Sequence, residues 1–215
     1  MKIVLNILKA FLINISFIGI IFASNSCPSI HPQDAKDLPV EQTEAILGDI
    51  LCSFIELHTE GNNNFFNALS LTKKKIIPYI DLEYSTELAL GSYWEQLQPM
   101  DKKVFERDIK ATLINEYINS LVNIENWEKV NITVDKNFSQ LNNLAEVKIV
   151  SSLEDEYRYI TATVTLKLIR KDRWRIYDLV YQSFSILDYF EYSYNEKIKR
   201  AGGLKNILQN MLQRT

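Results

Sequence analysis

The apolar positions between residues 40 and 121 recur every three or four residues, which is the spacing of amphipathic helices. In residues 40–58 they form one wide stripe that comprises Ile46, Leu47, Ile50, Leu51, Phe54 and Leu57. Further helices are predicted over 65–75, 81–90 and 100–121, with Pro78 ending the second or starting the next and Gly91 placed to cap the third. In the last of these helices one side carries Phe105, Ile109, Leu113, Tyr117 and Leu121.

After residue 130 the pattern changes to an alternation of apolar and polar residues, which predicts strands over 130–134, 145–149, 160–168 and 174–184. Short polar segments join these runs, which indicates an antiparallel meander of about four strands. Helices are predicted over 186–200 and 204–212. A sheet with one apolar face must be covered, so we expect an α+β fold with helices packed on one face of a twisted, mainly antiparallel sheet.

The first 26 residues have the order of a secretory signal: basic, then apolar, then small and polar. Lys2 and Lys9 precede an apolar run over 11–23, and the small residue Ser26 suits cleavage before Cys27. As a helix this run spans about 20 Å, which is short of the roughly 30 Å of a bilayer core. The alternative is a retained membrane anchor that starts at Ile3, and such an anchor would place Lys9 inside its apolar stretch. We expect a signal peptide at 1–26 and a single domain at 27–215.

The 215 residues carry 24 basic and 27 acidic side chains, a formal net charge of −3, and 47% are hydrophobic. This composition is typical of a globular protein and argues against a nucleic-acid partner, because such proteins must neutralise phosphate charge. Two histidines and six glycines supply neither zinc-ligand spacing nor a phosphate-binding loop. We therefore expect no metal and no cofactor.

One carboxylate in the predicted strands deserves a choice between two interpretations. Asp178 lies among apolar residues of the run 174–184, and burial there would suit it to act as a general base. The other interpretation is a strand-edge or surface aspartate paired with an arginine such as Arg175 or a neighbour.

The two cysteines leave three possibilities open. In an exported protein Cys27 and Cys52 could form a disulfide. Cys27 could instead carry a lipid, although the segment 24–26 lacks the aliphatic residue expected three places before a lipidated cysteine. Cys52, which lies among apolar residues of a predicted helix, could also be a buried free thiol.

Two motifs occur in order along the chain. The first is Ile77-Pro-Tyr-Ile-Asp81, followed by Ala89-Leu-Gly-Ser-Tyr-Trp94 and Leu113-Ile-Asn-Glu-Tyr117. The second is Trp174-Arg-Ile-Tyr-Asp-Leu-Val-Tyr-Gln-Ser-Phe-Ser185, followed by Gly202-Gly-Leu204. This ordered set resembles the MlaC (toluene-tolerance) family of periplasmic phospholipid-binding proteins. The chain departs from that family at Gln182-Ser183, where the family has Glu-Gly, and at Phe184, where it has a smaller aliphatic residue.

The resemblance implies a non-enzymatic, monomeric carrier with an NTF2-like cone shape and an apolar cavity between helices and sheet. Such carriers shuttle phospholipid through the periplasm between an outer-membrane lipoprotein–porin complex and an inner-membrane ABC transporter with an MCE-domain component, which maintains outer-membrane lipid asymmetry. The lipid-lining residues that we expect are Phe105, Ile109, Leu113, Tyr117, Val147, Ile149, Val164, Leu166, Val180 and Phe184. The alternatives are a small-molecule enzyme on a cone-shaped α+β fold with Asp178 as base, and an envelope interaction protein with a solid core.

Overall fold

The computed structural model describes residues 38–121, 131–155 and 158–213. Four helices come first: α1 (Pro39–Thr59), α2 (Phe65–Lys75), α3 (Leu82–Leu90) and α4 (Pro99–Leu121). Six strands follow: β1 (Asn131–Val134), β2 (Ser139–Leu141), β3 (Leu144–Asp155), β4 (Arg158–Arg170), β5 (Trp174–Tyr181) and β6 (Phe184–Ser185). Helices α5 (Ile186–Arg200) and α6 (Leu204–Leu212) end the described chain. The predicted signal peptide and Cys27 lie outside the described residues.

The helix boundaries follow from capping residues that the sequence provides. Asn64 accepts a hydrogen bond from the backbone N–H of Asn67 at 3.0 Å and so begins α2. Asp81 does the same for α3 through the N–H of Tyr84, at 2.9 Å. Gly91 ends α3 with a φ of 52°, a conformation that glycine adopts without steric cost. All six predicted helices are confirmed within two residues at each end.

The sheet is antiparallel and open, with the strand order β1-β3-β4-β5-β6 and with β2 paired to β3 beside β1. Its centre is the long hairpin of β3 and β4, whose register runs from Leu144 opposite Ile169 to Asp155 opposite Arg158. The predicted α+β class is confirmed. The predicted number of about four strands is too low, because β2 is a short exposed strand and because the run 174–184 is two strands rather than one.

A two-residue turn divides the run 174–184. Tyr181 pairs with Phe184, and between them Gln182 and Ser183 have φ values of 47° and 67°. Positive φ at both central residues is the geometry of the tight hairpin turn that matches strand twist. The prediction of a continuous strand is therefore wrong here, since neither residue is the glycine or asparagine that usually signals such a turn.

This turn allows a test by substitution. We expect Ser183→Gly to raise the free energy of unfolding by about 0.5–1 kcal/mol. A non-glycine residue in the left-handed region costs about 1–2 kcal/mol, and the greater conformational entropy of glycine in the unfolded chain offsets part of the gain from removing that cost. Chemical denaturation measures the change. Ser183→Val is the control, and it should destabilise the fold; equal stability of the two variants would show that the turn is not strained.

Buried apolar side chains form two separate clusters among the described residues. The sheet cluster joins one face of the sheet to three helices through Val40, Leu51 and Phe54 of α1, Ala68 of α2, and Ile114 and Ile118 of α4. The helical cluster joins the remaining helices. It comprises Ala89 and Leu90 of α3, Trp94 and Leu97 between α3 and α4, Phe105 and Ile109 of α4, Phe190, Tyr194 and Ile198 of α5, and Ile207 of α6. Helix α4 contributes to both, so it connects the sheet layer to the helical layer.

Cys52 of α1 is disulfide-bonded, and the described residues include no free cysteine. The interpretation of Cys52 as a buried free thiol is therefore wrong. Cys27, the other cysteine of the sequence, lies outside the described residues, so its pairing or lipidation stays a prediction.

Candidate functional site

Four of the expected lipid-lining residues lie side by side on the helix-covered face of the sheet. Val147 of β3 is directly opposite Leu166 of β4, and Ile149 is opposite Val164. Directly paired residues of an antiparallel sheet point to the same face. All four are buried in the sheet cluster. The alternation in the sequence predicted that the four residues share the apolar face, and the structure adds which of them are paired.

The expected residues of α4 lie elsewhere. Phe105 and Ile109 are fully buried in the helical cluster, and Leu113 is half-buried against it. The α4 residues that face the sheet cluster are Ile114 and Ile118, which sequence reasoning missed. In the sequence, Ile114 and Ile118 form a second apolar pair four residues apart, but the stripe that begins at Phe105 and Ile109 is the longer pattern. Tyr117 lies in α4, and its side chain is outside the described part of the chain.

The helical cluster has the contacts of an aromatic core. The rings of Phe105 and Tyr194 meet edge to face with centroids 5.5 Å apart, and Phe190 stacks on Tyr194 at 6.3 Å. The Tyr194 hydroxyl donates to the Asp108 carboxylate at 2.9 Å. Burial, together with the negative charge of Asp108, raises the pKa of Tyr194 well above its ordinary value. These contacts stabilise the packing of α5 on α4.

Val180 and Phe184 lie on opposite faces of the sheet. Val180 is opposite Thr165, whereas its neighbour Leu179 is opposite Leu166 on the helix-covered face. Phe184 is opposite Tyr181, which in turn pairs with Val164, so Phe184 shares the helix-covered face. A continuous strand would have placed both residues on one face, and the turn at 182–183 reverses that relation.

A third group of apolar side chains packs against the sheet cluster and keeps part of its surface accessible. We call this group the apolar rim. It comprises Leu47, Ile50, Ile55 and Leu57 of α1, Leu69 and Leu71 of α2, Ile76 and Ile77 after α2, and Ile132, Ile176 and Leu179 of the sheet. A side chain that contacts a bound apolar ligand must have accessible surface when the ligand leaves. By this criterion the rim is a better candidate site than the fully buried Phe105, Ile109 and Val147.

The sequence contained a signal for part of the rim. The stripe of α1 is wider than packing on one sheet face requires, and Leu47, Ile50 and Leu57 lie in it. Leu69 and Leu71 of α2 lie on either side of the buried Ala68 and Thr72, so a narrow stripe did not include them.

Asp178 is buried, so the interpretation of it as a surface aspartate is wrong, and both oxygens of its carboxylate are engaged by neighbouring groups. Its carboxylate accepts hydrogen bonds from the Ser185 hydroxyl at 2.8 Å and from the backbone N–H groups of Leu179 and Leu187 at 2.8 and 3.0 Å. Lys167 of β4 completes an ion pair with it at 3.0 Å. Burial alone would lower the pKa of Lys167, but the hydrogen bond and charge of Asp178 outweigh it and raise that pKa.

The expected partner of Asp178 was an arginine such as Arg175 or a neighbour, and the structure gives a different pairing. Arg175 binds Asp172 instead, with its Nη2 2.9 Å from Oδ1 of that residue. The bulge between Lys167 and Leu168 explains the change, because it places Lys167 directly opposite Asp178.

Neither a metal site nor a membrane-spanning helix occurs within the described ranges. No group of three or more His, Cys, Asp or Glu side chains there is arranged to hold a metal ion. No helix there combines the length and the apolar character needed to cross a membrane.

The fold and the rim together define a class of protein: an α+β domain whose helices cover one face of an open antiparallel sheet, with accessible apolar side chains between the two layers. Sequence comparison makes the assignment specific. The family described as MlaC protein matches residues 56–213, most of the described chain. The chain belongs to the MlaC family.

Two relatives support this assignment. The intermembrane phospholipid transport system binding protein MlaC of Haemophilus influenzae is 22% identical over 120 residues, which are 55% of this chain and 55% of that protein. The chain thus aligns with about half the length of this relative. A structure of a phospholipid-binding protein from Ralstonia solanacearum, in complex with a phospholipid, has a TM-score of 0.63 and 20% identity, and it covers 80% of this chain and 93% of that one. This likeness confirms the fold.

Proposed function

We propose that the protein is a periplasmic, non-enzymatic phospholipid carrier and that the acyl chains bind along the apolar rim, between α1, α2 and the sheet. The observation that carries the proposal is the rim itself, because eleven apolar side chains keep accessible surface around one buried cluster. The membership of the MlaC family and the bound phospholipid in the Ralstonia solanacearum relative support the same ligand class.

The physical need for such a rim follows from the ligand. Two acyl chains hold about 30 methylenes, and at about 0.8 kcal/mol each their exposure to water costs on the order of 24 kcal/mol. A carrier must cover that surface, while the headgroup can stay in water. No reaction is required, and the hydrogen bond and ion pair that engage the Asp178 carboxylate support a structural role for this residue over the role of a general base.

The partners that we propose are those of the family: an outer-membrane lipoprotein–porin complex as one end of the route and an inner-membrane ABC transporter with an MCE-domain component as the other. An exported protein with a predicted signal at 1–26 would meet both in the periplasm. Transport between them would maintain the lipid asymmetry of the outer membrane.

The direct test of the ligand is to purify the protein without detergent and to examine it by native mass spectrometry and by organic extraction. We expect a bound phospholipid, released on denaturation, in near-stoichiometric amount. Repeated preparations with intact circular dichroism and no phospholipid would contradict the proposal and would favour an interaction protein with a solid core.

A further inference from the structure

Helix α2 carries exposed aromatic residues at one end and exposed lysines at the other, and its outer face is the side that holds Phe66 and Lys73. Phe66 is 77% exposed and Phe65 is 41% exposed, in the first turn of the helix. Lys73 and Lys74 are exposed in its last turn. Exposed phenylalanines in adjacent positions are uncommon on a soluble surface unless they meet a partner or a membrane.

The packing of α2 fixes this face outward. Ala68 and Thr72 are buried on the opposite side of the helix, and Ala68 belongs to the sheet cluster. Residues 66, 70 and 73 fall within about 60° of one another around a helix, so Phe66 and Lys73 share the outer stripe. Rotation of α2 to cover Phe66 would expose the buried side. The two phenylalanine rings contact each other edge to face at 5.9 Å.

The charge on this helix identifies the occupant. Residues 65–75 contain three lysines and no acidic residue, although the whole chain has a net charge of −3. Lys75 is neutralised by Asp49 of α1 at 2.7 Å, which leaves the charges of Lys73 and Lys74 directed to the exterior. An apolar end followed by a cationic end complements a bilayer with anionic headgroups, where aromatic rings enter the interface and lysines approach phosphates.

We propose that the outer face of α2 docks the protein on the surface of an anionic phospholipid membrane. Phe66 enters the boundary between headgroups and acyl chains, and Lys73 and Lys74 lie against the phosphates. The helix is about 16 Å long, which lets both ends reach one surface when it lies flat. The inner side of α2 carries Leu69 and Leu71 of the rim, so docking would bring the proposed lipid site next to the bilayer. The nearness of a lipid site rests on the proposed function, whereas the docking itself does not.

The test is flotation of the purified protein with vesicles of phosphatidylcholine that contain about one third phosphatidylglycerol, compared with vesicles of phosphatidylcholine alone. We expect the wild type to prefer the anionic vesicles, and we expect Phe66→Ser to weaken that binding about tenfold. The double variant Lys73→Gln/Lys74→Gln should weaken it by about tenfold or more at low salt and by less at high salt.

Met100→Ser is the matched control, because Met100 is 79% exposed in the first turn of α4 and lies on another helix. It should leave vesicle binding unchanged. The docking proposal is overturned if the wild type does not float with anionic vesicles, if it floats equally with both compositions, or if the α2 variants bind as the wild type does. The last outcome would place the membrane contact on another face of the protein.

Lipid extraction from the same preparations separates this proposal from the proposed function. Phe66→Ser should retain its bound phospholipid, because Phe66 projects away from the rim. Wild-type protein that carries phospholipid but ignores vesicles overturns docking alone. Protein that binds anionic vesicles but carries no phospholipid overturns the carrier alone.

Discussion

Replacement of Asp178 by alanine is expected to lower the free energy of unfolding by about 3–5 kcal/mol, the usual cost of removing one member of a buried ion pair. The side chain of Asp178 is fully buried, and the variant would leave Lys167 without its ion-pair partner. It would also release the backbone N–H of Leu187 at the start of α5 and the hydroxyl of Ser185, which caps that helix. Urea or guanidinium denaturation at neutral pH measures the loss.

The conservative variant Asp178→Asn should cost less, because an amide oxygen can still accept a hydrogen bond while the charge is lost. The raised pKa of Lys167 predicts how the stability difference between the wild type and Asp178→Asn changes with pH. A lysine whose pKa is higher in the folded state contributes stability below its unfolded value of about 10.4, and that contribution is lost as the pH rises through the folded pKa. The advantage of the wild type over Asp178→Asn should therefore shrink in strongly alkaline buffer.

The same variants test the enzyme alternative. A structural anchor predicts that Asp178→Asn keeps its phospholipid content whenever it folds. A variant that has normal stability but no cellular function would contradict the anchor and would return Asp178 to consideration as a catalytic group.

Replacement of Leu179 by lysine is expected to empty the protein of lipid without unfolding it. Leu179 is half-buried, belongs to the rim and lies opposite Leu166 on the helix-covered face. A charged group against acyl chains costs several kcal/mol, so the ligand should be lost. Water can hydrate the charge after the lipid leaves because the side chain already has accessible surface. Lipid extraction combined with thermal melts monitored by circular dichroism measures both effects.

The adjacent residue provides the matched control. Val180 is also half-buried and lies in the same strand, but it points to the opposite face, opposite Thr165. Val180→Lys should therefore retain phospholipid. If both variants keep their lipid, the rim is not the binding site; if Leu179→Lys unfolds while Val180→Lys does not, Leu179 belongs to a solid core.

The sequence was sufficient for the helices because their ends carry strong local signals. Asn64 and Asp81 are side-chain caps, and Gly91 supplies a left-handed terminus. The central strands were equally accessible, since one buried face forces a strict alternation. What the sequence did not reveal was the turn at 182–183, which uses two residues that rarely adopt positive φ.

The candidate site was predictable only in part, and the reason is the difference between burial and accessibility. Hydrophobic periodicity identifies residues that leave bulk water, but it does not distinguish a residue in a packed core from one beside a ligand. Phe105 and Val147 both lie in clear periodic patterns and were expected to contact lipid, yet they are fully buried in different clusters, whereas Leu179, which was not among the expected residues, keeps accessible surface. To separate a packed core residue from one beside a ligand, the three-dimensional packing is needed, in which α4 contributes to both clusters.

The most direct test of the account is photo-crosslinking with a phospholipid that carries a diazirine in one acyl chain. The protein is loaded with this lipid, irradiated and digested, and the modified residues are located by mass spectrometry. Binding along the apolar rim predicts adducts on α1, α2 and β5, at residues such as Leu47, Leu71 and Leu179. Adducts confined to the helical cluster around Phe105, or to the opposite face at Val180, would contradict it.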